Sequence, residues 1–251
     1  MIVYLACAKI MTGSCPSALS YTTEPHFQLE ANENAVRLAD YNPNDIEGML
    51  KVNQTIAKEV WQRYQNFFNK DVLRQPAAFA YDGMVFQKLA PETFSTDELY
   101  YANNHLLIAS FLYGLLRPLD MIMRYRLEGD VVLSHHDGKS MFDYWKPILT
   151  DYFIEQIKKD DGILVNLASD EMKLLVDWKR VRREVQVITP EFKVMKGGKL
   201  KTIVIYTKMC RGAMTRFILK NHISNPKDLL TFEYEGFKYI GTEKDNLMFV
   251  C

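Results

Sequence analysis

The stretch Leu106–Glu128, LLIASFLYGLLRPLDMIMRYRLE, decides how the rest of the chain is read. Its opening, Leu106–Leu116, is an apolar run broken by little except Ser110 and Gly114. Such a run is a buried strand or the end of a buried helix, and periodicity does not separate the two. Arg117-Pro118 ends it in a turn, because proline pushes the preceding residue out of the α region. Beyond the turn stand Asp120, Arg124, Tyr125, Arg126 and Glu128. A rigid apolar element that delivers charge to its own end is a form ligand sites take. The same residues also suit a stitched turn, with Arg117 on Asp120 and Arg126 on Glu128.

Outward from this stretch, strands alternate with helices. Ile2–Ala8 reads as a strand with Lys9 at its end, followed by a Ser/Thr/Gly/Pro-rich loop over Thr12–Phe27. Helical spacing covers Ala31–Leu38, Asp97–His105 (capped by Ser95 or Thr96) and Met141–Lys159. Pro76–Gly83 and Val131–Leu133 read as short strands. Gly162–Ala168 is a buried strand that empties into Ser169-Asp170-Glu171, which opens a helix ending near Trp178. In open α/β sheets that carboxyl edge is the usual ligand position. Glu184–Ile188 and Leu200–Tyr206 flank Lys196-Gly197-Gly198-Lys199, a hairpin signal. KTIVIY reads as a doubly buried strand delivering Lys208, Arg211 and Arg216 onto a helix that runs to Asn221. Phe232–Tyr239 and Leu247–Val250 read as a closing hairpin. With no repeat, low-complexity tract or linker, the expectation is one α/β domain over residues 1–251.

Within Asn44–Phe68 the apolar positions 46, 49, 50, 56, 57 and 60 change phase around Lys51–Gln54. This predicts two short helices joined by a tight turn. It resembles a helix-hairpin-helix module, whose hairpin and second-helix N-terminus offer N–H donors to a DNA phosphate. The candidates are Lys51, Asn53, Gln54, Thr55 and Lys58. Glycines are usual in that hairpin, and Asn53, which tolerates the left-handed conformation, stands there instead. A kinked amphipathic helix is the plain alternative.

Net charge is zero, with 31 basic and 31 acidic residues, but it is segregated. Lys173–Lys220 carries 13 Lys/Arg against 3 Asp/Glu. That is the footprint of an anionic ligand or nucleic acid, or of lysine-rich solvated hairpins. No window approaches a membrane span, and MIVYLACAKIM is too short and carries Lys9 on the wrong side for a secretory leader. The four cysteines are scattered without a CxxC pair, which points to a reducing compartment. The five histidines lack ligand spacing, and His135-His136 beside Asp137-Gly138 reads as a solvated turn. No metal or cofactor is expected. Walker, GxGxxG, HExxH and Ser-His-Asp patterns are missing, so the residues indicate a site without a reaction.

The strings LYGLLRPLD, YRLEG, NLASDE and RGAMTRFI, with the ACAK start, FAYDG and PETFS, resemble those of the YaaA peroxide-stress-resistance family across essentially the whole chain. The resemblance implies a cytoplasmic protein that limits oxidative damage by keeping free iron low. It implies a single-domain "cantaloupe" fold: a mixed sheet with surrounding helices, a helix-hairpin-helix element over about residues 44–68, and a positively charged cleft that binds double-stranded DNA. Carried over by position, the implied site residues are Lys9, Arg117, Asp120, Tyr125, Arg126, Glu128, Asn166, Ser169, Glu171, Arg211 and Arg216. Arg124, Asp170 and Lys208 are added from the residue reading. Cys7 stands where the family tends to have proline and Cys210 where alanine is usual. Both are expected to pack as small hydrophobes, although thiols beside basic side chains raise the thought of peroxide sensing.

Two functions follow. One is a DNA-binding protective protein whose contacts are mostly to phosphates. The other is an enzyme acting on a nucleotide or other phosphorylated substrate, because Glu128, Asp170 and Glu171 exceed what phosphate binding needs. Direct iron sequestration finds no ligand cluster to support it.

Overall fold

The computed structural model describes residues 1–12, 19, 21–243 and 246–251. Cys15 and most of the tract around it lie outside those residues. In chain order the elements are β1 (Ile2–Leu5), α1 (Gln28–Ala39), α2 (Pro43–Leu50), α3 (Gln54–Gln65), β2 (Gln75–Pro76), α4 (Ala77–Ala80), α5 (Met84–Leu89) and α6 (Thr96–His105). Then come β3 (Leu106–Ser110), β4 (Gly114–Leu116), β5 (Met121–Ile122), α7 (Met141–Asp160), β6 (Ile163–Asn166) and α8 (Trp178–Glu184). The chain closes with β7 (Gln186–Lys196), β8 (Lys199–Lys201), α9 (Val204–Lys220), β9 (Glu233–Tyr234), β10 (Phe237–Glu243) and β11 (Asn246–Val250).

One mixed sheet organises them in the order β4-β3-β1-β6-β7-β11-β10-β9, with β8 hairpinned onto β7. β1 is central and parallel to both β3 and β6, and β6 is parallel to β7. A strand flanked in parallel and covered on both faces needs apolar side chains throughout. Ile2, Val3, Tyr4 and Leu5 are accordingly all buried. From β1 the chain crosses to β3 on one side, then to β6 on the other, so the connection reverses at the carboxyl end of β1.

The apolar run Leu106–Leu116 is two strands folded back on each other. β3 and β4 pair antiparallel, with Ile108 opposite Leu116 and Ser110 opposite Gly114. Gly114 makes this possible twice over. Its φ is +69°, and a Cβ there would come within 2.8 Å of Leu149 and 2.9 Å of Trp145. Trp145 is locked by its own Nε1–H, which donates to the Phe111 carbonyl at 2.8 Å.

Asn44–Phe68 is two helices, joined by Lys51, Val52 and Asn53. Asn42 caps α2 in a reciprocal box with Asp45, and the Asn53 side chain accepts from the Ile56 N–H at 2.9 Å. The left-handed residue is Lys51 (φ 53°), not Asn53, whose backbone is extended as an N-cap requires.

Five expectations are corrected. Ala77–Ala80 is a single helical turn, with Gln75–Pro76 pairing as strand before it and Tyr81 in an isolated bridge to Met11 after it. Val131–Leu133 is reduced to an isolated bridge between Val132 and Ser140. Ser169 leads into a 3-10 turn over Asp170–Leu175, and α8 starts separately at Trp178 with Asp177 as cap. KTIVIY is not a strand, because α9 starts at Val204. Val204, Ile205 and Tyr206 are exposed, and burial begins at Cys210, then Ala213, Met214 and Ile218, a helical period. Packing of that later face on α5 overrides three β-prone residues. His136 is also not a solvated turn residue. It is 3 % exposed, stacked on Tyr144 at 3.8 Å, with Nε2 against Asn34 Oδ1 at 2.9 Å.

Candidate functional site

The carboxyl ends of β1 and β6 open onto a cavity of about 470 Å³. Its walls come from Cys7 and Lys9 after β1, Gly83–Phe86 at the start of α5, Tyr125–Glu128, Ser169 and Glu171 after β6, and Lys208 and Arg211 of α9. This is the crevice where a doubly wound sheet places ligands, at the strand where the connection reverses. Gly212 sets the fourth wall. A Cβ there would lie 2.1 Å from the Val85 carbonyl oxygen, so only glycine lets α9 press against α5 at this crossing.

Behind the cavity lies a buried hydroxyl chain. Tyr125 Oη sits 2.8 Å from Tyr81 Oη and 2.7 Å from Ser110 Oγ. Ser110 Oγ also accepts from the Tyr113 N–H at 2.9 Å, tying the chain to the β3–β4 turn. Burial holds both phenols well above their ordinary range, so they serve as hydrogen-bonding groups only. Cys7 meets the same chain, and burial pushes its thiol up to about 12. Burial does the same to Cys210. Both shifts oppose the thiolate that peroxide sensing needs.

The charges are mixed and mostly paired. Glu128 takes Lys9 Nζ at 2.8 Å and Arg126 at 3.4 Å. Lys51 Nζ reaches Asp130 Oδ2 at 2.5 Å, which fastens the α2–α3 turn to the cavity rim. Asp130 stands two residues beyond Glu128 and is held below the usual carboxylate range chiefly by the Lys51 hydrogen bond. Glu171 forms no ion pair among the described residues. Desolvation raises its carboxyl, Glu128 and Asp130 add to the rise, and Lys9 opposes it. Lys208 is exposed and also unpaired among the described residues. A carboxyl held toward its acid form on a cavity wall can exchange a proton with a bound ligand.

A second basic group lies along α3. Arg63 is held below its ordinary range by burial and by the nearby Arg124 guanidinium, with Arg126 adding to it. Glu59 reaches Arg63 at 3.9 Å and Glu128 reaches Arg126 at 3.4 Å, so the group is partly offset by acids.

The structure thus brings Lys9, Tyr125, Arg126, Glu128, Ser169, Glu171, Lys208 and Arg211 around one cavity. It places Lys51, and next to it Asn53, Gln54, Thr55 and Lys58, beside its rim, all five exposed. Other candidates lie elsewhere. Arg117 binds Asp120 at 2.8 Å and the Glu24 carbonyl at 2.9 Å, the stitched turn. Arg216 is spent on the Leu89 and Ala90 carbonyls and on Thr93 Oγ1. Asn166 and Asp170 line a separate cavity, which shares Arg211. Sequence reasoning missed Arg63 and Asp130. Only the spacing of Asp130 after Glu128 offered a signal for either. Among the described residues no group of three or more His, Cys, Asp or Glu could hold a metal ion, and no helix is long and apolar enough to cross a membrane.

The family model described as peroxide stress protein YaaA matches residues 1–242. A UPF0246 protein of Phocaeicola vulgatus is 52% identical over 239 residues, covering 95% of this chain and 94% of its own length. One from Bacteroides fragilis is 51% identical over 250 residues, covering 100% of this chain and 97% of its own. One from Francisella philomiragia is still 34% identical over 99% of this chain and 98% of its own. With that coverage, the chain belongs to the YaaA (UPF0246) family of peroxide stress proteins.

Proposed function

We propose that this protein acts in the cytoplasm in peroxide defence by holding double-stranded DNA against the α2–α3 turn and the adjoining cavity rim, and so limits iron-dependent damage to the duplex. The observation that carries this reading is the Lys51–Asp130 contact. It joins a turn with an exposed helix N-terminus to the loop that bears Arg126 and Glu128. A duplex phosphate on the Gln54 and Thr55 N–H groups would meet Lys58 on the same helix, with Arg63 further along α3 and Arg124 and Arg126 on the segment after β5. The acids do not forbid this. Glu128 and Asp130 are neutralised by Lys9, Arg126 and Lys51, and Glu171 is raised toward its neutral form. Contacts of this kind go to the backbone, so binding is tolerant of sequence and steeply salt-dependent.

Fluorescence anisotropy of a labelled duplex tests it. Wild type is expected to bind in the submicromolar range at low salt, and Lys51→Glu and Lys58→Glu to lose most of that affinity. Equal affinity of both variants and wild type would remove the α2–α3 turn from the function.

One observation favours a second reading, an enzyme acting on a nucleotide or other phosphorylated substrate within the cavity. Glu171 is raised and, among the described residues, forms no ion pair, on a cavity wall that also carries Lys208, more proton-transfer capacity than phosphate holding needs. Turnover of a phosphate ester that is abolished in Glu171→Gln, with duplex binding intact, would establish it. Intact turnover in that variant would refute it.

A further inference from the structure

Beyond Arg211, on the side away from β1, lies a second cavity of about 460 Å³. It is bounded by Asn166 at the end of β6, Thr189 and Glu191 of β7, Trp178 and Arg182 of α8, and Thr207 and Arg211 of α9. Two of its polar atoms are buried without a partner. Asn166 is 2 % exposed. Its Oδ1 accepts from the Ala168 N–H at 3.3 Å, but its Nδ2 finds no acceptor among the described residues. Arg211 Nε is likewise buried and unbonded among the described residues, and burial draws the guanidinium below its ordinary range. Arg211 forms no ion pair among the described residues. A half-buried guanidinium whose Nε is unbonded among the described residues and whose charge is opposed only by the exposed Asp170, and a buried amide without an acceptor, are costly together. One oxyanion would satisfy both.

The acids in the wall leave this place to a ligand. Asp170 is held by Lys173 at 2.6 Å. Glu191 is held by Lys193 at 3.0 Å and by Asn246 at 2.6 Å. Arg182 is exposed at the mouth and unpaired among the described residues. The surplus is therefore positive, with hydroxyls from Thr189 and Thr207 and one indole beside it. A guanidinium and an amide N–H suit a tetrahedral phosphate with free oxygens, the hydroxyls suit a polar body, and the volume admits a molecule of nucleotide size.

We propose that this cavity is a second binding site, for a small phosphomonoester of nucleoside monophosphate size, its phosphate held by Asn166 Nδ2 and Arg211. It is distinct from the duplex-binding rim and does not depend on it. Asn166→Asp provides the decisive variant. The carboxylate keeps an acceptor for the Ala168 N–H and supplies Arg211 with a counter-ion, so the fold is preserved. It also replaces the donor with a negative charge where the phosphate would sit.

The test is isothermal titration with AMP and with inorganic phosphate, alongside thermal unfolding with and without each probe. Wild type is expected to bind AMP and to melt higher in its presence. Asn166→Asp should melt no lower than wild type without ligand and lose AMP affinity by at least about tenfold. Arg182→Ala should lose less. Lys51→Glu should bind AMP as wild type does, which separates this site from the rim. No AMP binding by folded wild type, or equal affinity in wild type and Asn166→Asp, would overturn the proposal. Binding of inorganic phosphate with the same loss in Asn166→Asp would support the phosphate subsite on its own.

Discussion

Replacing Gly212 by alanine tests the packing that builds the cavity, because two effects of opposite sign meet there. Inside a helix, alanine is favoured over glycine by about 1 kcal/mol. The new Cβ, however, would lie 2.1 Å from the Val85 carbonyl oxygen and 2.9 Å from Lys88 Cβ. A relaxed C···O contact is about 3.3 Å, so α9 and α5 must part by about 1 Å. Forcing a methyl into such a contact costs about 1–3 kcal/mol, and a backbone carbonyl yields less readily than a side chain. The net expectation is a loss of up to about 2 kcal/mol, or a Tm lower by up to roughly 8 °C for a chain of this size. Gly48, exposed in α2 with nothing within 4 Å of its Cβ position, supplies the control. There alanine keeps only the propensity gain, and Tm should rise by roughly 2–4 °C. Thermal unfolding of both variants is the assay. A Gly212→Ala protein as stable as Gly48→Ala would refute the close α5–α9 crossing, and with it the placement of Lys208 and Arg211 on the cavity wall.

Further outcomes follow from the same structure. Burial holds the His136 imidazole down to about 4, with His135 lowered as well, so both are neutral in the fold. The unfolded chain therefore binds the extra proton. Stability is full above pH 6.5 and falls as pH drops toward 4, by at most about 3 kcal/mol for His136. His136→Phe should flatten that slope in pH-dependent unfolding, and an unchanged slope would show that His136 does not titrate this way. Mild peroxide should leave Cys7 and Cys210 unmodified by mass spectrometry, since burial raises both thiols. Rapid oxidation of either would contradict their burial. Glu171→Gln should tighten duplex binding by about twofold at alkaline pH and change it less at acidic pH, where the wild-type carboxyl is already protonated; weakened binding in that variant would place Glu171 in direct contact with a donor on the ligand side.

Much of the fold was legible where the local pattern and the tertiary packing agree. The phase change at Lys51–Gln54 predicted two helices because the Asn42 and Asn53 caps and the apolar faces of α2 and α3 point the same way. The strands before Lys9 and Ser169 were visible as apolar runs, and the α/β alternation carried their ends to one edge. The apolar character of Leu106–Leu116 was plain, but its fold-back was not. Gly114 was the signal, readable only beside Trp145 and Leu149, which α7 brings from far along the chain. KTIVIY misled because its β-branched residues are exposed at a helix start, where they decide nothing, while the buried face begins later. His135-His136 misled for the opposite reason, since a turn signature says nothing of the Tyr144 ring that covers His136. Arg63 and Asp130 were missed because their roles come from neighbours distant in sequence, Arg124 and Lys51.

The salt dependence of duplex affinity bears most directly on the proposed role. If Lys58 and the arginines near α3 displace counter-ions from phosphates, log Kobs falls linearly with log salt, at about 0.9 per phosphate neutralised. Lys58→Glu should then reduce that slope by about one as it weakens binding. A wild-type protein that fails to bind the duplex at low salt, or binds it with no salt dependence, would contradict the account.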